Sequence, residues 1–367
     1  MELIEVKPDK KWNDFLEKSL NPHPYQSTEI ALLFTQSEFK PRFFALEKKR
    51  ERKAQILIFE ETLGESKNPK IPNAWISYSP PSMANLNVEE KQIFSEMVLK
   101  LKEKAKSEKI GWLTIWGTPV WDPKKWFDEL GFEAVKRENV LIEFDEDTEK
   151  MLAFFREGIR RNIKKGEKSG IRIREARSFE DVLSFGSIYN ETRKKAGVEA
   201  KDNTYFETLW LELIKKKRAI LLLAEFKGKI TAGLCVMTCG SYAIDFVNCT
   251  KDKEYKKFPH HLLKWEFVKK MRLLGIKHFD LHFAGKIGAD EKSLKIREFK
   301  KGWGKIVEFG EYCTAIETDN EKMKPNEKIY KLLSDGKDVW EITEKTGYTP
   351  RAILRFRHNS RKADLIK

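Results

Sequence analysis

Apolar and polar positions along the chain follow two periods, and the order of those periods occurs twice. A helical stretch around Trp12 to Leu20 comes first. Three runs with strand character follow it: RFFALE (42–47), AQILIFEE (54–61) and NAWISYS (73–79), parted by short polar turns. Residues 88–108 return to helical spacing, with Ile93, Met97, Leu99 and Leu101 among the apolar positions. A strand WLTIWG (112–117), a short helix ending at Leu130 and a strand NVLIEF (139–144) close the first series.

The second series starts near Asp145. Leu152, Phe155, Ile159 and Ile163 share one face of a single predicted helix that ends at Gly170, a residue suited to the left-handed cap. IRIRE then alternates as a strand. SFED (178–181) reads as a capping box, with Asp in place of Glu, for a helix that turns Val182, Phe185, Ile188 and Thr192 inward. RAILLLAEF, a KGK turn and ITAGLCVMT form a predicted hairpin, and SYAIDFVNCT is a third strand. Pro259 fits the first turn of a helix running to about Leu274, stopped by Gly275. KHFDLHF (277–283) is the next strand, followed by REFKKGWGKI (297–306). This order of elements is that of the GNAT type of acyl-transferase fold. The expected class is α/β, with two GNAT-like domains in tandem over 1–145 and 146–319, the first a rougher copy than the second.

Residues 320–367 lie outside both series. Within them DVWEITEKTGYTPRAILRF (338–356) has helix-turn-helix spacing, with Gly347 in the turn. Two readings stay open: a helical pair packed on the core, or a small nucleic-acid-binding module assisted by Arg351, Arg355, Arg357 and Arg361.

Composition narrows the picture. A chain of 367 residues with 40% apolar content can bury sizeable cores. The formal net charge of +14 favours an anionic partner such as nucleic acid, a phosphorylated substrate or an anionic surface. Cys235, Cys239, Cys249 and Cys313 form no C-x-x-C pair, and their mostly apolar context predicts reduced, buried thiols. The charged start MELIEVKPDKKW does not read as a signal peptide. No apolar run reaches the length of a membrane span. A cytoplasmic location is expected by default.

Six segments together resemble one family. They are PYQSTE (24–29), YSPP (78–81), LGFEAVKRENVLIEFDEDTEKML (130–152), RRNIKKGEKSGIRI (160–173), HHLLKWEFVKKMRLLGIKHFDLHFAG (260–285) and FKKGWGK (299–305). In order and spacing they resemble the Fem-type peptidyltransferases, the FemABX family. The resemblance implies two GNAT-like domains that transfer an amino acid from aminoacyl-tRNA to an amine of a cell-wall peptide precursor. It also implies that Lys300 steadies the oxyanion and that Phe299 supplies a neighbouring backbone carbonyl. TRKK (192–195) offers Arg193 or Lys195 for a carboxylate or phosphate. Tyr205 matches a family tyrosine, and Tyr78 lies at a strand end that the family uses. Phe34 stands where the family has a phosphate-binding lysine. His282 and Phe283 replace small residues, which implies a reshaped pocket.

The chemistry is consistent with that resemblance. An aminoacyl ester is already activated, so the barrier lies in a negatively charged tetrahedral intermediate formed as the amine loses its proton. A fixed cation beside that oxygen contributes about 3–4 kcal/mol. Lys300, expected on an active-site strand before a Gly-Trp-Gly turn, suits that part; a solvated surface lysine is the alternative. The helix that begins KKFPHHLLKW has no glycine, and Pro259 removes an amide donor, so a pyrophosphate cradle for coenzyme A is disfavoured there. Arg160, Lys164 and Lys168 recur at i, i+4 and i+8 with Arg161 and Lys165 alongside, a stripe that can track phosphates or simply face water. Lys286, Lys292, Lys295 and Arg297 extend the positive field. His278 and His282 are expected on one strand face, and with no third ligand in the pattern zinc is disfavoured. No metal or organic cofactor is expected. The leading expectation is an aminoacyltransferase; an N-acyltransferase using another thioester and a nucleic-acid-binding protein are the alternatives.

Overall fold

Described in a computed structural model are residues 1–36, 39–61, 73–84, 89–144, 147–251, 256–283 and 291–316, with parts of 329–346. The described strands, in chain order, are β1 (Glu2–Glu5), β2 (Lys40–Lys48), β3 (Glu51–Glu61), β4 (Ala74–Ser77), β5 (Ser82–Met83), β6 (Trp112–Trp116), β7 (Glu133–Glu143), β8 (Arg172–Glu175), β9 (Ala219–Phe226), β10 (Lys229–Cys239), β11 (Tyr242–Thr250), β12 (His278–Phe283) and β13 (Lys305–Ala315). The helices used below are α1 (Lys10–Lys18), α2 (Thr28–Thr35), α3 (Glu90–Ser107), α4 (Lys124–Glu129), α5 (Thr148–Phe154), α6 (Glu157–Glu167), α7 (Phe179–Lys195), α8 (Asn203–Thr208), α9 (Pro259–Met271) and α10 (Glu291–Lys301). Of the segment 320–367, a helix Val339–Thr346 that buries Ile342 is described. Gly347 and the four arginines beyond it lie outside the described residues, as does Lys286, so the helix-turn-helix reading is not addressed.

Contacts group the chain into two units that interleave along the sequence. One is Met1–Pro8, Glu38–Lys136 and Gly310–Lys367; the other is Asp9–Ser37 and Arg137–Phe309. The first unit therefore takes the end of β13, and the second takes α1 and α2. In the first unit the strand order is β1-β2-β3-β4-β6-β13, with β5 on β3. β4 and β6 are parallel, and the other pairs are antiparallel. Its core joins Phe44, Ile56, Ile58 and Trp75 to Phe94, Met97 and Leu101 of α3.

The second unit has the order β7-β12-β11-β10-β9-β8, with β11 and β12 parallel and the rest antiparallel. Successive residues of β10 serve opposite faces, as strand geometry requires. Ala232, Leu234 and Val236 join the core that holds Leu263, Phe267 and Val268 of α9. Gly233 faces the other way, where a Cβ would stand 2.4 Å from the ring of Phe185 on α7. Each large apolar side chain fully buried here contributes about 1.5–3 kcal/mol. The thiols of Cys235 and Cys239 are buried, and burial pushes both up to about 12, so these cysteines are inert.

One predicted helix is two. Between α5 and α6, Phe155 is extended (φ −69°, ψ 146°), and the Arg156 amide donates to Gly302 O at 2.9 Å. The break lets the Phe155 ring stand edge-on to Trp303 with centroids 4.9 Å apart. Helical periodicity survives such a break, because both halves bury residues in the same core: Met151 and Phe155 before it, Ile159 and Ile163 after it.

Candidate active site

Phe299 and Lys300 lie in the last turn of α10, not on a strand. The turn after them explains the Gly-Trp-Gly sequence. Trp303 is fully buried, and a Cβ at Gly304 would stand 2.2 Å from Leu141 O. At Gly302 a Cβ would meet Ile159 at 2.6 Å and Phe299 O at 3.3 Å. The two glycines let the tryptophan anchor the end of α10 against β7 and α6, which fixes Phe299 and Lys300. The Phe299 carbonyl accepts from the Gly302 amide at 3.2 Å. As a helix-terminal carbonyl with two lone pairs, it can also accept from a substrate ammonium.

The target of Lys300 is set by β12. That strand pairs with β11 only over His278–Asp280, opposite Tyr242–Ile244. Its register with β7 then slips between Asp280 and Phe283. His282 within this bulge has φ 61°, the left-handed region that side chains with a Cβ rarely adopt. The bulge breaks strand alternation, so the expectation that His278 and His282 share one face of a regular strand does not hold. Lys300 Nζ donates to Leu281 O at 2.6 Å and to Phe283 O at 2.8 Å, one carbonyl on each side of His282. Asp280 Oδ1 accepts from the His282 amide at 2.6 Å. Asp280 Oδ2 accepts from Asn139 Nδ2 and from the Tyr242 hydroxyl, both at 2.7 Å.

Burial dominates the electrostatics. It lowers the Lys300 ammonium to about 8, with Lys264 acting the same way and Asp245 and Asp280 opposing. Burial raises the Asp280 carboxyl in spite of its three donors. Burial also lowers His282, so its imidazole is neutral at pH 7. A second lysine, Lys264, is buried near Lys300. Lys264 Nζ and Asp245 Oδ2 form an ion pair at 2.6 Å, with side chains 2% and 1% exposed. Asp245 also accepts from Asn248 at 2.9 Å. Sequence reading passed over both partners, since a lysine inside the apolar text of α9 reads as a helix face turned to water. The only available cue was an aspartate in the apolar strand SYAIDFVNCT.

The segment PYQSTE meets the same bulge. The Tyr25 ring stands 6.2 Å from His282, 5.5 Å from His23 and 6.0 Å from Phe34. Phe34 therefore contributes an aromatic wall where the family resemblance implies a phosphate-binding lysine. The other candidates are dispersed. Arg193 donates to Glu199 O and to the Tyr189 hydroxyl, which ties it to its own loop, while Lys195 is exposed on the same turn. Tyr205 is buried at 6% exposure beside Phe206, and burial raises its hydroxyl well above the ordinary range. Tyr78 belongs to the first unit, where its ring contacts Phe59 and Trp116 at 5.7 and 5.2 Å.

Ile159, Ile163 and Gly166 pack the inner side of α6, and Gly166 touches Leu262 of α9. Its outer side lines an open groove of about 490 Å³ with Arg160, Arg161, Lys164, Lys165 and Lys168, together with Glu157 and with Leu152 of α5. Arg160 also donates to Ala153 O at 2.6 Å. Lys295 is exposed and paired with Glu291 at 2.7 Å, whereas Arg297 is largely buried against Glu138. The charge of Arg297 is thus balanced locally. Among the described residues no three His, Cys, Asp or Glu side chains are grouped to hold a metal ion, and no helix is long and apolar enough to cross a membrane.

A sheet whose parallel pair parts beside a helix-terminal lysine fits an α/β fold of the GNAT type. The comparisons agree with this class and sharpen it. Residues 129–232 match the model of the FemAB family. The chain is similar in structure to FemX, with a TM-score of 0.71 and 16% identity over 91% of this chain and 100% of that one. It is also similar to a conserved Bacteroides thetaiotaomicron protein of unknown function (TM-score 0.60, 11% identity, 86% and 100% covered). A third similar structure is the C-terminal domain of a putative lysylphosphatidylglycerol synthetase from Agrobacterium fabrum (TM-score 0.56, 13% identity, 84% and 90% covered). No curated protein matches by sequence. The Fem-type resemblance carried by short motifs is thus found again in a family match and in a fold.

Proposed function

We propose that the chain is an aminoacyltransferase. It forms an amide between an activated aminoacyl donor, aminoacyl-tRNA, and an amine of a peptide or cell-wall-like precursor. The observation that carries this reading is Lys300: an ammonium held on Leu281 O and Phe283 O, lowered to about 8 yet mostly charged at pH 7. Such a preorganised cation, with one N–H still to donate, can meet the oxygen that gains charge as the amine attacks. The Phe299 carbonyl beside it can hold the amine. The basic groove along α6 supports a polyanionic donor, and the aromatic wall of Phe34 and Tyr25 supports an acceptor gripped there through apolar contact rather than phosphate.

The test is amide formation by the full chain from tRNA charged with labelled amino acids and a synthetic peptide bearing one lysine. Product is expected to form, to vanish after ribonuclease treatment of the donor, and to fall steeply with added salt as phosphate contacts are screened. Product that survives ribonuclease with an aminoacyl thioester as donor would replace the tRNA assignment with thioester chemistry.

A further inference from the structure

We propose that His282 is the proton acceptor of this reaction. It takes the proton from the attacking amine and returns it to the leaving oxygen. The inference rests on the aminoacyltransferase reading and adds a catalytic residue to it.

Three contacts from two charged side chains fix the backbone at this one residue. Its own amide is fixed by Asp280 Oδ1, and the carbonyls before and after it are both taken by Lys300 Nζ. Its backbone sits at φ 61°, a conformation that costs about 1–3 kcal/mol at a residue with a Cβ. A chain that needed only a tight bulge would gain stability from glycine here. The histidine is instead kept in strain by three charged-group contacts, and its imidazole is half-buried beside Tyr25. Among the described residues no hydrogen bond to either ring nitrogen is seen. The charged and titratable groups around it are Asp280 on its own strand, Lys300 on α10, Asp245 on β11, Arg137 on β7 and His23 ahead of α2. Burial outweighs them and favours the neutral ring, which is the form that accepts a proton.

The same bulge thus joins the cation and the base. The amine lone pair attacks the ester carbonyl carbon and forms the C–N bond, while the carbonyl electron pair moves to the oxygen that faces Lys300. The proton on nitrogen passes to a ring nitrogen of His282. The intermediate then collapses, the C–O bond to the ribose breaks, and the imidazolium gives its proton to that oxygen. The products are an amide and a tRNA with a free hydroxyl, with no other reactant needed.

His282→Gly separates a base from a packing residue. Glycine fits the left-handed backbone, so the variant is expected to melt no lower than the wild type. In the assay with charged tRNA and lysine peptide, turnover is expected to fall about 10²–10⁴-fold, the usual worth of a general base. The loss of rate toward acid pH expected of the wild type should disappear, and added imidazole should restore turnover in proportion to its neutral form. Turnover within about threefold of wild type, or a loss that imidazole does not relieve at any pH, would overturn the assignment. Loss in Lys300→Met with full turnover in His282→Gly would remove the base and leave the aminoacyltransferase reading standing. If the wild type uses only a thioester donor, the donor assignment fails, and the two variants decide the role of His282 with that donor by the same criteria.

Discussion

In the first unit Arg42 lies almost buried over the rings of Phe44 and Trp75, at 5.0 and 4.7 Å. Glu5 and Glu108 both accept from its guanidinium, and Glu60 stands at 3.6 Å. Hydrogen bonds dominate there: the one Arg42 donates to Glu5 raises Arg42, and the one Glu108 accepts from Arg42 brings Glu108 down to about 2. Around the His282 bulge of the second unit burial dominates and pushes the other way. Lys300 is lowered, His282 is lowered and Asp280 is raised, each toward its neutral form. Both regions carry several charges in little volume, so charge density alone does not mark a site. The direction does. A network that favours every charged form is closed on itself, whereas groups held near neutrality are free to exchange protons or to meet a new charge.

The contrast breaks most severely at the ion pair near Lys300. Asp245→Ala leaves Lys264 buried without a counter-ion, and about 3–5 kcal/mol of unfolding free energy should be lost in urea titration. A loss under about 1 kcal/mol would mean that water reaches the pair. Next in size is Lys300→Met, for which turnover should drop about 10²–10³-fold, equivalent to about 2.7–4 kcal/mol in the transition state. The working form of Lys300 is the cation and its value is about 8, so wild-type turnover should decline as pH rises through that region. An alkaline limb that is unchanged in Lys300→Met would assign the decline to another group. The smallest effect belongs to Arg42→Met, with a stability loss of about 1–3 kcal/mol from unpaired acids that water partly reaches. Its turnover should stay at the wild-type level. The pH dependence has a definite sign: Glu108 is lowered from 4.5 to about 2, so its share of stability is present above 4.5 and fades as pH falls toward 2.

Much of the fold was legible because it depends on periodicity. The hairpin of β9 and β10, the cap at Ser178 and the helix opening at Pro259 all rest on signals within a few residues, and each is present. What was illegible depends on partners remote in sequence. The break at Phe155 is made by Gly302, and the bulge at His282 is held by Lys300 from the next helix. The expectation of a strand at Lys300 fails because the turn that ends α10 is set by close approach of Gly302 to Ile159 and of Gly304 to Leu141, both remote in sequence. Lys300 and Phe299 stand out in the sequence as candidates only through a family likeness. Asp245 and Lys264 escaped because one-letter polarity cannot tell a buried ion pair from a wet face.

The interleaved division of the chain has a consequence for synthesis. The second unit draws on α1 and α2, made early, yet needs α10 to seat Trp303. The first unit waits for the end of β13, where Cys313 meets Thr114 across 199 residues of sequence. The first sheet cannot be completed while the ribosome is still short of β13, nor the second before β12. Newly made chains must therefore carry unmatched strand edges for most of translation, which makes slow maturation and dependence on holding chaperones the expected cost of this topology.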